Sequence, residues 1–287
     1  MQTLGIIGQG FVGSAVREGM KDYFNIFAFD KDPNKFSSAT SIFNIVENVD
    51  VTFLCVPTPM RKSGECDLSI LKSALTEISN CVTALNKKNF IVVIKSTIPP
   101  GTTETLNTEF SNLDIVFNPE FLTEANAVND YINQNRIVIG GERPGTTKVK
   151  QIFSKAFPKI PIIKTSSTIA ETIKYVTNTF LAMKVSYANE IYQLCQKLNI
   201  DYDKVIEYAR YDERLGNSHW SVPGPDGDFG HGGHCFIKDT AALTHLAKQL
   251  GVIPTMLEAT TIKNNEVRTL KDWETQIGRA VSEDYNG

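Results

Sequence analysis

The chain has no apolar run approaching the ~20 residues that a membrane-spanning helix requires, so no membrane partner is expected. It has no excess of one charge either. Lys and Arg number 29 against 32 Asp and Glu, a net charge of −3 at pH 7, which gives no nucleic-acid signal. Cysteine is scarce, five in 287 residues, and the five have no framework spacing. That fits a reducing compartment where thiols stay free. Met1 leads into an apolar strand with no signal peptide before it, so a cytoplasmic location is expected. Internal repeats and low-complexity segments are absent. Metal ligation is not expected. Asp30, Asp32 and Asn34 alternate like a calcium loop, but position six is Lys35 and position twelve is Ser41. His231, His234 and Cys235 have no fourth zinc ligand at a recognisable spacing.

What is present is alternation. Short apolar runs near 4–8, 26–30, 51–56, 91–95, 115–117, 136–140 and 160–163 read as strands separated by helical segments, the pattern of a parallel sheet wound on both sides. After Thr165 the pattern changes. Ser167 to Leu198 is one helical run without proline or glycine, and further helices are expected over about 201–211, 236–250 and 254–281. The fold class is therefore α/β, a Rossmann-like doubly wound parallel sheet (residues 1–165) followed by an all-helical domain (166–287).

Two motifs carry chemistry. Gly8-Gln-Gly10-Phe-Val-Gly13 follows the first strand and opens an amphipathic segment. In G-x-G-x-x-G the first glycine allows the turn, the second admits a pyrophosphate and the third permits close helix packing. Asp30 ends the next strand, 22 residues after Gly8, where an acid accepts ribose hydroxyls and repels a 2′-phosphate. NAD rather than NADP is the expected cofactor. At the other end, Phe229-Gly-His-Gly-Gly-His-Cys-Phe-Ile-Lys-Asp239 sets Cys235 among glycines at a helix start. Unpaired N–H groups there favour thiolate, so Cys235 is a candidate nucleophile. Asp239, one turn on, could activate water beside the sulfur. A lone cysteine is equally at home as a small buried hydrophobe.

Three further loops lie where an open parallel sheet binds ligands: Val56-Pro-Thr-Pro59, Lys95-Ser-Thr-Ile-Pro-Pro-Gly101 and Phe117-Asn-Pro-Glu-Phe-Leu-Thr-Glu124. Lys174 and Asn178 stand four apart on one helical face.

In this order, the glycine motif, Cys55-Val-Pro-Thr-Pro59, Ser96-Thr-Ile-Pro-Pro-Gly-Thr102, Asn118-Pro-Glu-Phe-Leu122 with Glu124, Lys174 with Asn178, and Gly232-Gly-His-Cys-Phe-Ile-Lys-Asp239 resemble the UDP-glucose 6-dehydrogenase family, within the UDP-glucose/GDP-mannose dehydrogenases. The resemblance covers nearly the whole chain. It implies oxidation of a nucleotide sugar's primary alcohol to a carboxylate with reduction of two NAD. It implies Cys235 as the covalent nucleophile, Lys174 and Asn178 at the oxyanion, Asp239 with Thr97 orienting water, and Glu120 completing the wall. For the cofactor it implies Gly8, Gly10, Phe11, Val12, Gly13, Asp30, Lys35, Pro57, Thr58, Ser96, Thr97, Glu124 and Lys238. For the substrate it implies Glu120, Phe121, Leu122, Glu124, Lys174, Asn178 and Gly232, and for assembly a homodimer through the helical half.

The chain also departs from the family. Ile237 stands where proline is common, Ala125 where glycine is usual, and the loop 221–229 is slightly longer. The family continues beyond the position of Gly287 into a second α/β domain that grips the nucleotide, so the resemblance implies an open substrate side here. Two completions are open: a partner chain, or the 221–229 loop with Arg210 and Arg214. Two other readings compete. A β-hydroxyacid dehydrogenase would share the lysine and asparagine but need no cysteine. A non-catalytic NAD-binding remnant would keep the fold alone.

Overall fold

The computed structural model describes residues 2–285. The chain divides into two compact units, Met1–Thr58 with Leu68–Lys174, and Pro59–Asp67 with Tyr175–Gly287.

The first unit is built on seven strands, β1 (Thr3–Ile7), β2 (Asn25–Phe29), β3 (Val51–Leu54), β4 (Phe90–Ile94), β5 (Leu113–Phe117), β6 (Ile137–Gly140) and β7 (Ile162–Thr165), in the order β2-β1-β3-β4-β5-β6-β7. Between them run α1 (Phe11–Met20), α2 (Ile42–Asn48), α3 (Ser69–Ala84), α4 (Thr102–Glu109), α5 (Ala127–Ile132) and α6 (Gly145–Ala156). Successive strand residues feed opposite cores, as a period of two dictates. Leu54, Val92, Ile94, Ile115 and Phe117 pack with Ile42, Leu75 and Leu106 on one face. Phe53, Ile91, Val93 and Val116 pack with Val16, Tyr131 and Phe153 on the other. The sheet is thus doubly wound and Rossmann-like.

One strand pair departs from the expected parallel pattern. β6 meets β5 antiparallel, with Phe117 opposite Gly140. The segment between these strands carries only the six-residue α5 and a single 3₁₀ turn, Glu124–Asn126, rather than a long crossover helix. Asn118 ties the junction by donating its side-chain amide to the Val138 carbonyl at 2.6 Å.

The strand order reverses between β1 and β3, so the loops after these strands flank the point where open α/β sheets bind ligands.

The second unit is largely helical. The helix α7 (Ser167–Leu198) begins in the first unit and supplies most of its length to the second. It is followed by α8 (Tyr202–Ala209), α9 (Cys235–Gln249) and α10 (Thr255–Val267). Asp201 caps α8, accepting from the N–H groups of Asp203 and Lys204. Among the described residues, no helix is long and apolar enough to cross a membrane.

The helix expected over 254–281 stops at Val267. Arg268 turns extended, and the next two N–H groups, of Thr269 and Leu270, donate to the Asp228 carboxylate. The Thr269 hydroxyl donates to it as well, at 2.6 Å. Arg268, 8% exposed, pairs with Asp226 at 2.7 Å, Asp272 at 3.2 Å and Asp228 at 3.4 Å. A carboxylate from a distant loop therefore takes the donors that a continuing helix would use. The tail beyond folds back as a 3₁₀ turn, Asp272–Thr275, and Val281 bridges to Met60 and Ile277.

This junction is expected to make the second unit's stability fall with acid. The Thr269 hydroxyl, then the Leu270 and Phe229 N–H groups and the Arg268 guanidinium, hold the Asp228 carboxyl down to about 2 against the opposing effect of burial. An unfolded aspartate titrates near ~3.9. The folded value is the lower one, so Asp228 stabilises the fold above about pH 4 and the contribution is lost as pH falls through about 2. Denaturant unfolding between pH 5 and 2.5 should show wild type losing its lead over Asp228→Asn, and parallel curves for the two proteins would contradict this.

Candidate cofactor cradle and active site

Two glycines of the motif answer steric needs within the chain, and the third leaves open space. Gly8 sits at φ +90°, a left-handed turn that a side chain strains, and its N–H donates to the Phe29 carbonyl at 2.9 Å. A Cβ on Gly13 would stand 1.9 Å from the Gly8 carbonyl oxygen, so only glycine lets α1 pack on the turn. A Cβ on Gly10 would meet nothing within 4 Å. The space beside Gly10 lies at the N-terminus of α1, whose first turn has no side-chain cap and no acid. That is an anion-binding arrangement. Asp30 is drawn onto this loop, accepting from the Gln9 N–H at 2.5 Å and from the Asp32 N–H at 2.9 Å. The acid thus stands beside the phosphate cradle, as dinucleotide recognition requires, and the residues present fit a dinucleotide. Phe11 and Val12 open α1, while Lys35 is exposed on the turn after Asp30.

The loops after β3 and β4 are tied to one another. The Thr58 hydroxyl donates to the Thr97 carbonyl at 2.7 Å, and the Ser96 hydroxyl donates to the Val56 carbonyl at 2.5 Å. Ser96 and Thr97 are buried and Pro57 is exposed. Behind them Lys95 is buried and donates to Asn118 Oδ1 at 2.7 Å, and burial pushes its pKa down to about 8.

The loop after β5 is fixed by an ion pair. The Lys174 ammonium donates to Glu120 Oε1 at 2.9 Å and to the Glu120 carbonyl at 2.6 Å, with both residues buried. Glu120 Oε2 accepts from the Leu122 N–H at 2.7 Å. Burial acts to raise the Glu120 pKa, but the Lys174 charge and these hydrogen bonds prevail and hold it below the usual carboxylate range. Phe121 lies under both Lys174 and Arg136, while Glu124 is exposed.

In the second unit, Cys235 is the first residue of α9. Asp239, 1% exposed, accepts from Lys238 Nζ at 2.6 Å and from Asn178 Nδ2 at 2.6 Å. Burial acts to lower the Lys238 pKa, but Asp239 and the neighbouring Cys235 and Cys66 outweigh it, so the ammonium is held firmly protonated. The structure therefore gathers Asn178, Lys238 and Asp239 behind the first turn of the helix that presents Cys235.

Sequence reasoning missed the residues that hold these groups. The glycine loop before Cys235 is pinned through its backbone. The N–H groups of Gly230, His231 and Gly233 donate to Asn189, Asn264 and Asp272 at 3.1, 2.7 and 2.8 Å. A Cβ on Gly232 would stand 2.0 Å from Arg268 Nη2 and 2.5 Å from Asp272 Oδ1, so a side chain there would have to displace that ion pair. Glu171, fully buried, accepts from the Gly101 N–H at 2.6 Å, the Thr103 N–H at 2.8 Å and the Thr103 hydroxyl at 2.5 Å, anchoring α4 to the start of α7. The one available signal was its place three residues before Lys174. Arg214 is engaged by Asp212, and Arg210 by Asn217, so neither guanidinium of the segment before the 221–229 loop is without a partner.

Comparison with known proteins gives the lineage. The UDP-glucose/GDP-mannose dehydrogenase family's NAD binding domain matches residues 28–157, and its central domain matches 168–266. The chain belongs to the UDP-glucose/GDP-mannose dehydrogenase family. The glycine cradle lies outside the matched spans and rests on its own geometry. Among relatives, the UDP-glucose 6-dehydrogenase AglM of Haloferax volcanii is 33% identical over 244 residues, covering 79% of this chain and 55% of that protein. The chain thus spans about half the length of the curated relatives it matches. A UDP-glucose dehydrogenase structure from Pyrobaculum islandicum superposes with a TM-score of 0.85 at 28% identity, covering 93% of this chain and 68% of that one. A 3-hydroxyisobutyrate dehydrogenase from Mycobacterium tuberculosis shares the fold, with a TM-score of 0.73 at 14% identity, covering 93% of this chain and 94% of that one.

NAD is the cofactor of this family domain, and an acid at the position of Asp30 is expected to favour it over NADP. Calorimetry should give NAD at least tenfold tighter binding than NADP, and Asp30→Asn should narrow the gap by removing the charge that repels a 2′-phosphate. Equal affinities in wild type would show that Lys31 or Lys35 accepts that phosphate.

Proposed function

We propose that the protein oxidises the primary alcohol of a nucleotide sugar, UDP-glucose in the first instance, to the carboxylate through a covalent intermediate on Cys235. The observation that carries the reading is a cysteine at the first position of α9 with the buried Asp239 one turn on, held by Lys238 and Asn178. A hydroxyacid dehydrogenase needs no such cysteine.

The chemistry divides among the chain's own groups. Bound NAD supplies a hydride acceptor for each of the two oxidation steps. Gly8, Gly10, Phe11, Val12 and Gly13 seat its diphosphate and Asp30 with Lys35 its adenosine ribose. Pro57, Thr58, Ser96, Thr97, Glu124 and Lys238 complete the cofactor side. Once the alcohol is an aldehyde, the Cys235 sulfur adds to the carbonyl carbon and the carbonyl oxygen takes the negative charge. Lys174 stabilises that oxyanion. Its bonds to Glu120 use two of the ammonium's three hydrogens, and the third serves the substrate with help from Asn178. Hydride leaves the thiohemiacetal, and water oriented by Asp239 and Thr97 cleaves the thioester, returning the thiol. Glu120, Phe121, Leu122, Glu124 and Gly232 form the sugar side. On this reading residues 1–165 are the cofactor domain and 166–287 the helical domain, in a cytoplasmic enzyme that keeps its five cysteines reduced.

The decisive experiment incubates the protein with NAD and UDP-glucose and counts NADH per sugar consumed. Two equivalents with uronic acid are expected, falling by several powers of ten in Cys235→Ser, because a serine alkoxide is neither formed nor expelled readily near neutral pH. One equivalent, or undiminished turnover in the serine variant, would sink the cysteine route.

We further infer a homodimer through α7. Val176, Phe180, Tyr187, Leu194 and Leu198 recur at intervals of four and seven and are all more than half exposed, an apolar stripe that an isolated helix face rarely leaves bare. Light scattering at micromolar concentration should give twice the 31.9 kDa chain mass. Phe180→Glu with Tyr187→Glu should return the monomer, and a monomeric wild type would refute the interface.

A further inference from the structure

A second ammonium lies buried beside the Lys174–Glu120 pair in the first unit, and no step of the proposed reaction uses it. Lys95 is 3% exposed and is the first residue after β4. Its N–H donates to the Leu54 carbonyl at 2.9 Å, so the backbone fixes where its side chain begins. On either side, Cys55 and Asn118 are the first residues after the neighbouring strands β3 and β5.

The surroundings do little to compensate this charge. Nζ donates to Asn118 Oδ1 at 2.7 Å, a neutral amide, and this is its one hydrogen bond among the described residues. The centre of the Tyr131 ring of α5 is 5.7 Å away, and the Tyr131 hydroxyl is itself buried without a partner. Burial pushes the Tyr131 phenol well above its usual range and the Cys55 thiol up to about 12, so both are uncharged near neutral pH. The charged groups that act on Lys95 there are Glu120 of the loop after β5 and Lys174 of α7. A buried ammonium with one neutral acceptor is costly. Its pKa is correspondingly drawn down by burial to about 8, which leaves it mostly protonated near pH 7. Buried groups perturbed in this way gather at functional sites.

We infer that Lys95 is a positioning residue of the reaction, whose ammonium turns the neutral Lys174–Glu120 pair into a group of net charge +1 as the substrate oxygen becomes negative. Two ammonium groups then stand against one carboxylate. Without Lys95, Glu120 cancels the charge of the donor it holds, and a developing oxyanion meets a dipole rather than a cation. In a buried, weakly screened setting that difference is large. Lys95 also acts through its hydrogen bond. Asn118, its acceptor, donates onward to the Val138 carbonyl and begins the loop that carries Glu120. An amide that must accept from Lys95 and donate to Val138 can point only one way, so the lysine fixes the start of that loop. This role rests on Lys174 being the oxyanion donor.

Steady-state oxidation of UDP-glucose by the full chain in saturating NAD, followed from pH 6.5 to 9.5, tests it. Lys95→Met should lower kcat about tenfold at pH 7, less than the ~10²-fold loss of a direct oxyanion donor, with KM and NAD affinity little changed. The gap to wild type should close as pH rises through about 8, where wild type loses the same charge while its neutral amine still donates to Asn118. A merely structural role would give a gap independent of pH. Lys95→Arg keeps a charge that does not titrate in this range and should gain on wild type above about pH 8, so misfolding of the methionine variant leaves the question decidable. An unchanged kcat in Lys95→Met, a gap constant with pH, or a loss confined to KM would overturn the role. Lys174→Met keeps the two levels apart. Undiminished turnover in that variant, or none in wild type, removes the oxyanion reading and the role of Lys95 with it, whereas a Lys174-dependent rate indifferent to Lys95 removes that role alone.

Discussion

Two buried ammonium groups, one in each unit, are matched by carboxylates, and these pairs organise the groups around them. Lys174 is 3% exposed and Lys238 12% at the side chain, and each has an acid within 3 Å. Removing one member of such a pair leaves an uncompensated buried charge at a cost of about 3–5 kcal/mol. An exposed pair such as Lys72 with Glu109 is worth at most about 1 kcal/mol. The buried pairs therefore decide local geometry and the surface pairs do not. Glu120 cannot leave Lys174 without also releasing the Leu122 N–H, so the loop after β5 is set by the same contact that orients the lysine. Asp239 likewise takes both Lys238 and Asn178, and thereby joins α9 to α7.

Much of the fold was legible because the decisive signals are local. Seven β-rich apolar runs gave seven strands, and thirty-two residues without glycine or proline gave α7 over the expected span. Strand direction was not legible. Alternation says which face a residue occupies and nothing about which way the chain runs, so the antiparallel step at β6 was invisible. The end of α10 was hidden for a different reason. Residues 255–277 contain neither glycine nor proline, and the helix is stopped by Asp228, some forty residues earlier in sequence. A tertiary contact overrode a permissive local sequence.

The candidate site divides along the same line. Gly8 and Gly13 each answer a steric need that could be stated from the motif alone. Gly232 did not behave so simply. The family resemblance implies it for the substrate, yet Arg268 and Asp272 already occupy the space a side chain would take. The residues proposed to act on a ligand carry their chemistry in their type and could be named early. Residues that hold them, such as Glu171, Asn189, Asn264 and Asp272, are ordinary polar residues whose importance comes only from distant backbone groups they satisfy.

That second class explains why Cys235 can be both accessible and well placed. A glycine-rich loop is entropically costly to order, and nothing in its own sequence would hold it still. Here the N–H groups of Gly230, His231 and Gly233 are captured by three side chains from α7, α10 and the tail beyond Val267. Asn264 also returns a hydrogen bond to the His231 carbonyl at 3.0 Å. The loop gains the rigidity that its composition lacks while the space beside Gly233 stays open, so the cysteine that follows enters α9 from a fixed point. The polar residues in the middle of α7 and α10, which amphipathic reasoning would assign to solvent, are the ones that hold the proposed nucleophile in place.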